Sequence, residues 1–212
     1  MIPGLFETFC CTGQAVVPNR NIQERKWSRM NTTNGKIAEQ SRNRLVNALL
    51  VIMEQYDFRE ITVTQISQEA GLSRKTFYRL FKSKEELIDF FFEGLYRDCL
   101  MQIRSRQLHH YWEVVQCYFD FCEERKELLL LLKRNNLLAP LFEGSYQYAF
   151  KAFEYVRSKE TADTYSAFLP YLLAYSVGGM FSMLLKWVEN GMDMPSSQLI
   201  EKLKDGFRSV DI

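Results

Sequence analysis

From Lys36 onward, apolar residues recur at spacings of three and four: Ile37, Ser41, Leu45, Ala48, Leu49, Ile52 and Tyr56 share one face of a helix. That helix is expected to stop near Asp57, which tolerates the left-handed conformation of many helix ends. Thr62-Val63-Thr64-Gln65 fits a capping box, so a second helix starts at Val63 and turns Val63, Ile66 and Ala70 inward. Gly71 closes it, Leu72 packs in the turn, and Ser73 caps a third helix over Arg74 to Phe81. Ser83-Lys84-Glu85-Glu86 repeats the capping-box pattern and opens a long fourth helix through Leu87, Phe91, Leu95 and Ile103.

Helical period continues over Tyr111 to Glu124, Glu127 to Lys133, Ala139 to Ser158, Thr161 to Glu189 and Ser196 to Ser209, punctuated by Pro140, Gly144, Gly191 and Pro195. Strand alternation, internal repeats and low-complexity tracts are missing from the pattern. The expected fold class is therefore all-α: a three-helix head with a helix-turn-helix over 36–83, followed by a larger helical body over 84–212. Residues 1–35 mix Gly, Pro, Asn and Arg without a period and are expected to form a disordered leader. A second reading starts translation at Met30, because Glu24-Arg25-Lys26 is what a purine-rich ribosome-binding sequence would spell if translated.

Composition narrows the function classes. With 47% hydrophobic and 25% charged residues the 212-residue chain suits a globular protein, and a net charge of +1 means that any nucleic-acid binding must come from a local basic patch. The cysteines (Cys10, Cys11, Cys99, Cys117, Cys122) lack paired CxxC spacing and a histidine cluster, which points to a reducing cytoplasm, core packing and no metal site. The first residues lack the charged start and apolar block of a signal peptide. No Gly-rich phosphate loop, Ser/His/Asp set or Glu-x-x-His pair suggests an enzyme, and no cofactor is expected. His109 and His110 fall at a helix junction and read as surface or capping residues.

The basic patch lies where the two short helices meet a tight turn. Phe77, Leu80 and Phe81 face inward, leaving Arg74, Lys75, Tyr78, Arg79 and Lys82 outward on a helix able to enter the major groove. Arg or Lys reads guanine edges, while Thr76, Tyr78 and the capped helix starts suit phosphates. Lys36, Thr64 and Ser73 complete the candidate DNA-contacting set.

Ile61-Thr62-Val63, Ala70-Gly71-Leu72-Ser73, Thr76-Phe77-Tyr78-Arg79 and Phe81-Lys82-Ser83-Lys84-Glu85-Glu86-Leu87 resemble the N-terminal domain of the TetR/AcrR family of regulators. Leu80 stands where that family often has an aromatic or histidine, and Asp57 where glycine is usual. The resemblance implies that 36–83 is a DNA-binding domain and 84–212 a ligand-binding and dimerisation domain, in a homodimer that binds a near-palindromic operator in double-stranded DNA, as a repressor released by a small molecule. It also implies phosphate contacts from Thr62 and Lys84, groove contacts from Arg74, Lys75 and Tyr78, and a dimer interface formed by the last two helices. Activation, control by a protein partner, and a body without any small-molecule ligand remain open alternatives.

Thr164 to Leu185 carries no charge, yet Pro170, Gly178, Gly179 and its serines and tyrosines make it too polar for lipid. It is expected to be covered by its own domain on one side and a second subunit on the other, with Gly178, Gly179, Phe181, Trp187, Leu199 and Leu203 in the interface. Trp112, Tyr118, Phe121, Tyr148, Phe168, Tyr171 and Tyr175 are candidates for the wall of a pocket taking a hydrophobic or aromatic ligand.

Overall fold

The computed structural model describes residues 22–156 and 168–209, with side-chain surroundings from 35 onward. Among these residues the chain forms helices and no strand: α1 (Ile22–Met53), α2 (Val63–Glu69), α3 (Arg74–Leu80), α4 (Lys84–Ser105), α5 (Tyr111–Glu123), α6 (Lys126–Arg134), α7 (Leu138–Val156), α8 (Leu169–Glu189) and α9 (Ser196–Ser209). Two compact units are distinguished, Met1–Gln40 and Ser41–Ile212. The first contributes, among described residues, the opening of α1. Helix there corrects the expectation of an unstructured leader through residue 35: Ile22 to Met30 lacks an apolar period but is rich in Gln, Glu, Arg and Lys, residues of good intrinsic helix propensity. Residues 1–21, with Cys10 and Cys11, lie outside the described residues, as do 161–167 at the expected start of the uncharged helix.

In the second unit, Leu45, Ala48, Leu49 and Met53 of α1 are buried with Ile66 of α2, Ala70 just after it and Phe77 of α3. The buried α1 face ends at Met53, and Tyr56 is half exposed. Asp57 does not adopt the expected left-handed conformation. Its carboxylate instead accepts hydrogen bonds from the Arg59 backbone N–H (2.9 Å) and Nε (3.0 Å), which stabilise a turn after the helix. Those bonds hold the Asp57 carboxyl below its ordinary range, the side-chain bond from Arg59 contributing most.

Helix α4 carries the chain from the head into a bundle, packing on α5 and α7, while α6 contacts α5, α7 and α8, and α9 lies on α5. The α4–α7 approach depends on Gly144, because a Cβ there would sit 2.8 Å from the Tyr96 hydroxyl. The end of the bundle is fastened by Trp187, whose indole N–H donates to the Met194 carbonyl at 3.0 Å. Trp187 is buried against Phe119, so it belongs to the core of one chain and not to the expected dimer interface. Among the described residues α8 alone is long and apolar enough to cross a membrane, by length and composition. Its inner stripe, Leu173, Val177, Leu184 and Val188, is packed inside the bundle.

Candidate nucleic-acid interface and ligand cavity

Both short helices of the head are started and stopped by local chemistry. Thr62 caps α2: its hydroxyl accepts from the Gln65 N–H at 3.3 Å, and the Gln65 side chain accepts from the Thr62 N–H at 2.8 Å. The other end closes in a Schellman turn, with the Leu72 N–H on the Ser67 carbonyl (2.8 Å) and the Gly71 N–H on that of Gln68 (3.0 Å). Gly71 takes φ +60°, which disfavours any residue bearing a Cβ. Ser73 then caps α3 by accepting from the Thr76 N–H at 3.1 Å.

These caps fix the rotation of α3. Phe77 is fully buried and packs against Phe81, so the opposite face, Arg74, Lys75, Tyr78 and Arg79, is turned to solvent together with Lys82. The Arg74 guanidinium lies 5.9 Å from the centre of the Tyr78 ring, one turn on, and none of the cations on this face is held in an ion pair among the described residues. Thr62, Thr64 and Ser73 are exposed at the starts of α2 and α3, and Thr76 is partly buried. Lys36 is exposed on the part of α1 that belongs to the N-terminal unit, and is not placed with the others.

Lys84 corrects the sequence reading. Its ammonium donates to the carbonyls of Phe58 (2.7 Å), Arg59 (2.9 Å) and Ile61 (2.9 Å), and sits 4.9 Å from the centre of the Phe58 ring. An ammonium has three N–H donors, and all are committed to the loop before α2. Lys84 positions the head and is not a free phosphate contact. The neighbouring cap is also displaced by one residue: Ser83 accepts from the Glu86 N–H, but the Glu86 carboxylate bonds the backbone N–H of Lys82.

The second site is an apolar, partly open cavity of about 140 Å³ lined by α4, the α5–α6 corner, α7 and α8. Of the residues expected on its wall, Tyr118, Phe121 and Tyr148 are there. Phe168, Tyr171 and Tyr175 are not: they are 60%, 69% and 71% exposed on the opposite face of α8 or just before it. Trp112 stands outside as well, between Tyr111 and Phe207 with Lys204 over its ring. Phe181, expected at a dimer interface, instead stacks on Phe142 at 4.0 Å and lines the cavity. Cys99 and Cys122 line it too, and burial pushes the Cys122 thiol up to about 12, which keeps it protonated at neutral pH. Burial likewise raises the Tyr96 and Tyr118 hydroxyls.

Two features of this region carry no local signal. Arg125 sits in a charged stretch that reads as a solvated loop, yet its side chain is 18% exposed and joins the cavity wall. Arg134 and Asn135, in what reads as a turn, fasten the body to the head. Asn135 is buried, accepts from the Phe58 N–H at 2.7 Å and donates to the Leu131 carbonyl at 2.9 Å. Arg134 donates to the carbonyls of Met53 and Glu54, each at 2.9 Å. Helix α6 thus reaches from the cavity, at Leu128 and Leu129, to the end of α1.

Of His109 and His110, expected to be surface or capping residues, both are exposed and His110 is the N-cap of α5; the backbone N–H groups of the two donate to Glu113. No cluster able to hold a metal ion occurs among the described residues.

Residues 45–89 match the family model for bacterial regulatory proteins of the tetR family. HTH-type transcriptional regulators of Staphylococcus aureus strains USA300 and NCTC 8325 are each 24% identical to this chain over 149 residues, covering 67% of it and 80% of their own length. A tetR-family transcriptional regulator from Streptomyces coelicolor, of known crystal structure, aligns with a TM-score of 0.49 and 19% identity over 81% of this chain and 80% of its own. The helix-turn-helix falls inside the matched segment, so over residues 45–89 the chain carries a DNA-binding domain of the tetR-family type.

Proposed function

We propose that the protein is a cytoplasmic, homodimeric repressor that binds a near-palindromic operator and leaves it when a small, largely apolar ligand enters the cavity. The observation that carries this reading is the exposed basic face of α3, without an ion-pair partner among the described residues, opposite a fully buried Phe77. Arg74 and Lys75 are the base-reading candidates, Tyr78, Arg79 and Lys82 the supporting groove and phosphate contacts, and the capped starts of α2 and α3 further phosphate contacts through Thr62, Thr64, Ser73 and Thr76.

Dimerisation is supported by the outward face of α8. Ala174, Tyr175, Gly179 and Ser182 are exposed and uncharged, and a Cβ on Gly178 or Gly179 would meet nothing within 4 Å. Such a face admits close approach of a second helix, and Leu199 and Leu203 of α9, both partly buried, are the further proposed contacts. Ligand control is supported by α6, whose apolar side borders the cavity while its last residues grip the end of α1 and the loop after it. A ligand releases DNA only through its preference for the non-binding conformation, and a hundredfold fall in operator affinity corresponds to about 2.7 kcal/mol of such preference.

Selection of duplexes from a random library by the purified protein tests the reading. Enrichment of two inverted half-sites with centres one or more helical turns apart, at roughly 34–36 Å per turn, is the expected result. A reporter carrying the selected site should lose expression when the protein is present; increased expression would make it an activator, and a single unpaired half-site would overturn the dimer.

A further inference from the structure

We infer that the cavity takes a ligand of about one aromatic ring carrying a carboxylate or similar anionic head, and that Arg125 receives the head. This rests on the ligand-responsive reading above and gives it a chemical class. Size comes first: apolar cavities of about 150 Å³ hold a benzene-sized guest, and this one is about 140 Å³. Among the described residues its wall is built almost wholly from aliphatic, aromatic and thiol groups, with Arg125 the single charged residue and no carboxylate. A cationic guest would be buried there without a counter-charge, whereas an anionic one meets a guanidinium.

Arg125 is also held ready. Its guanidinium carbon lies 3.6 Å from the centre of the Phe121 ring. Nη1 is engaged, donating to the Phe121 carbonyl (3.1 Å) and to Glu124 (3.2 Å). The donors on Nε and Nη2 have no partner among the described residues, which leaves the fork available for a planar, bidentate acceptor. Glu124 is 54% exposed, so water screens its claim on the charge. Asp98, whose carboxyl burial raises and Arg125 lowers, is not on the wall. The Tyr148 hydroxyl, also on the wall and without a hydrogen-bond partner among the described residues, is a second donor for the same head.

Titration calorimetry on the full chain with 4-phenylbutyrate, 4-phenylbutanol and 4-phenylbutylammonium tests this with a series matched in shape and differing in charge. The expected order is carboxylate tightest, the alcohol at least tenfold weaker, and the ammonium weakest. Arg125→Gln should abolish the gap between carboxylate and alcohol, and Ala149→Phe, which fills the cavity, should abolish binding of both. Should Arg125→Gln fail to fold, the order measured on the unaltered chain still decides. Equal affinity for carboxylate and alcohol overturns the anionic head yet leaves an apolar ligand site standing. A preference that persists in Arg125→Gln, or binding that survives Ala149→Phe, places the anion elsewhere and overturns the assignment. Binding of none of the probes removes the ligand-responsive reading and this inference with it.

Discussion

The DNA-binding head and the bundle behind it are both helical, yet they are specified differently. In the head, each boundary is set within a few residues: Thr62 and Gln65 start α2, Gly71 ends it, and Ser73 starts α3. The bundle has few such local locks, and its aromatic residues divide between inside and outside according to how helices pack. Tyr118 and Tyr148 line a cavity, while Tyr171 and Tyr175 face solvent. A surface that must display particular side chains to DNA is held by short-range caps, whereas a cavity is a by-product of long-range packing and can change shape. Lys84 and Asn135 join the two regimes, since both reach across sequence to fasten the loop between α1 and α2.

The sharpest way to break the contrast is Phe77→Ala. Emptying the centre of the head should cost about 3–5 kcal/mol and abolish DNA binding, while the cavity's affinity for a bound probe persists if the bundle holds independently. Chemical denaturation monitored separately at head and bundle checks it; a single cooperative transition that takes the cavity down too would show the regions to be one folding unit. Lys84→Ala should lower stability by roughly 2 kcal/mol, because charge-assisted bonds to the loop carbonyls are lost. The salt dependence of DNA affinity should keep its slope. A slope lower by about one, with an unchanged melting temperature, would restore Lys84 as a phosphate contact.

Asn135→Ala leaves the buried Phe58 N–H unsatisfied and should cost about 1–3 kcal/mol. Hydrogen exchange should quicken at Phe58 before it does in α2, and unaltered exchange would show that the link to the bundle is dispensable. Gly71→Ala forces a Cβ into φ +60° and should cost about 1–2 kcal/mol, read as a lower midpoint in urea. The smallest effect on stability belongs to Lys75→Ala, which should leave thermal unfolding unchanged while weakening specific binding by about 1–3 kcal/mol. A gel-shift series in which neither Lys75→Ala nor Arg74→Ala loses affinity would show that another face reads the DNA.

By itself the sequence determined what depends on neighbours a few residues apart. The all-α class, the caps of α2 and α3, the left-handed turn at Gly71 and the basic side of α3 follow from propensity, side-chain to backbone hydrogen bonds and a period near four. Even there it missed the opening of α1 at Ile22, because a search for apolar period passes over polar residues that favour helix. Tertiary structure alone decided which cations are free and which are committed. Lys75 and Lys84 look alike along the chain, and only the fold places carbonyls of the α1–α2 loop around one of them. It also decided that Trp187 and Phe181 turn inward while Tyr175 turns outward, and that Arg125 meets a cavity built from five helices. Burial is a property of the surfaces that converge on a residue, and for these positions those surfaces come from elements far away in the chain.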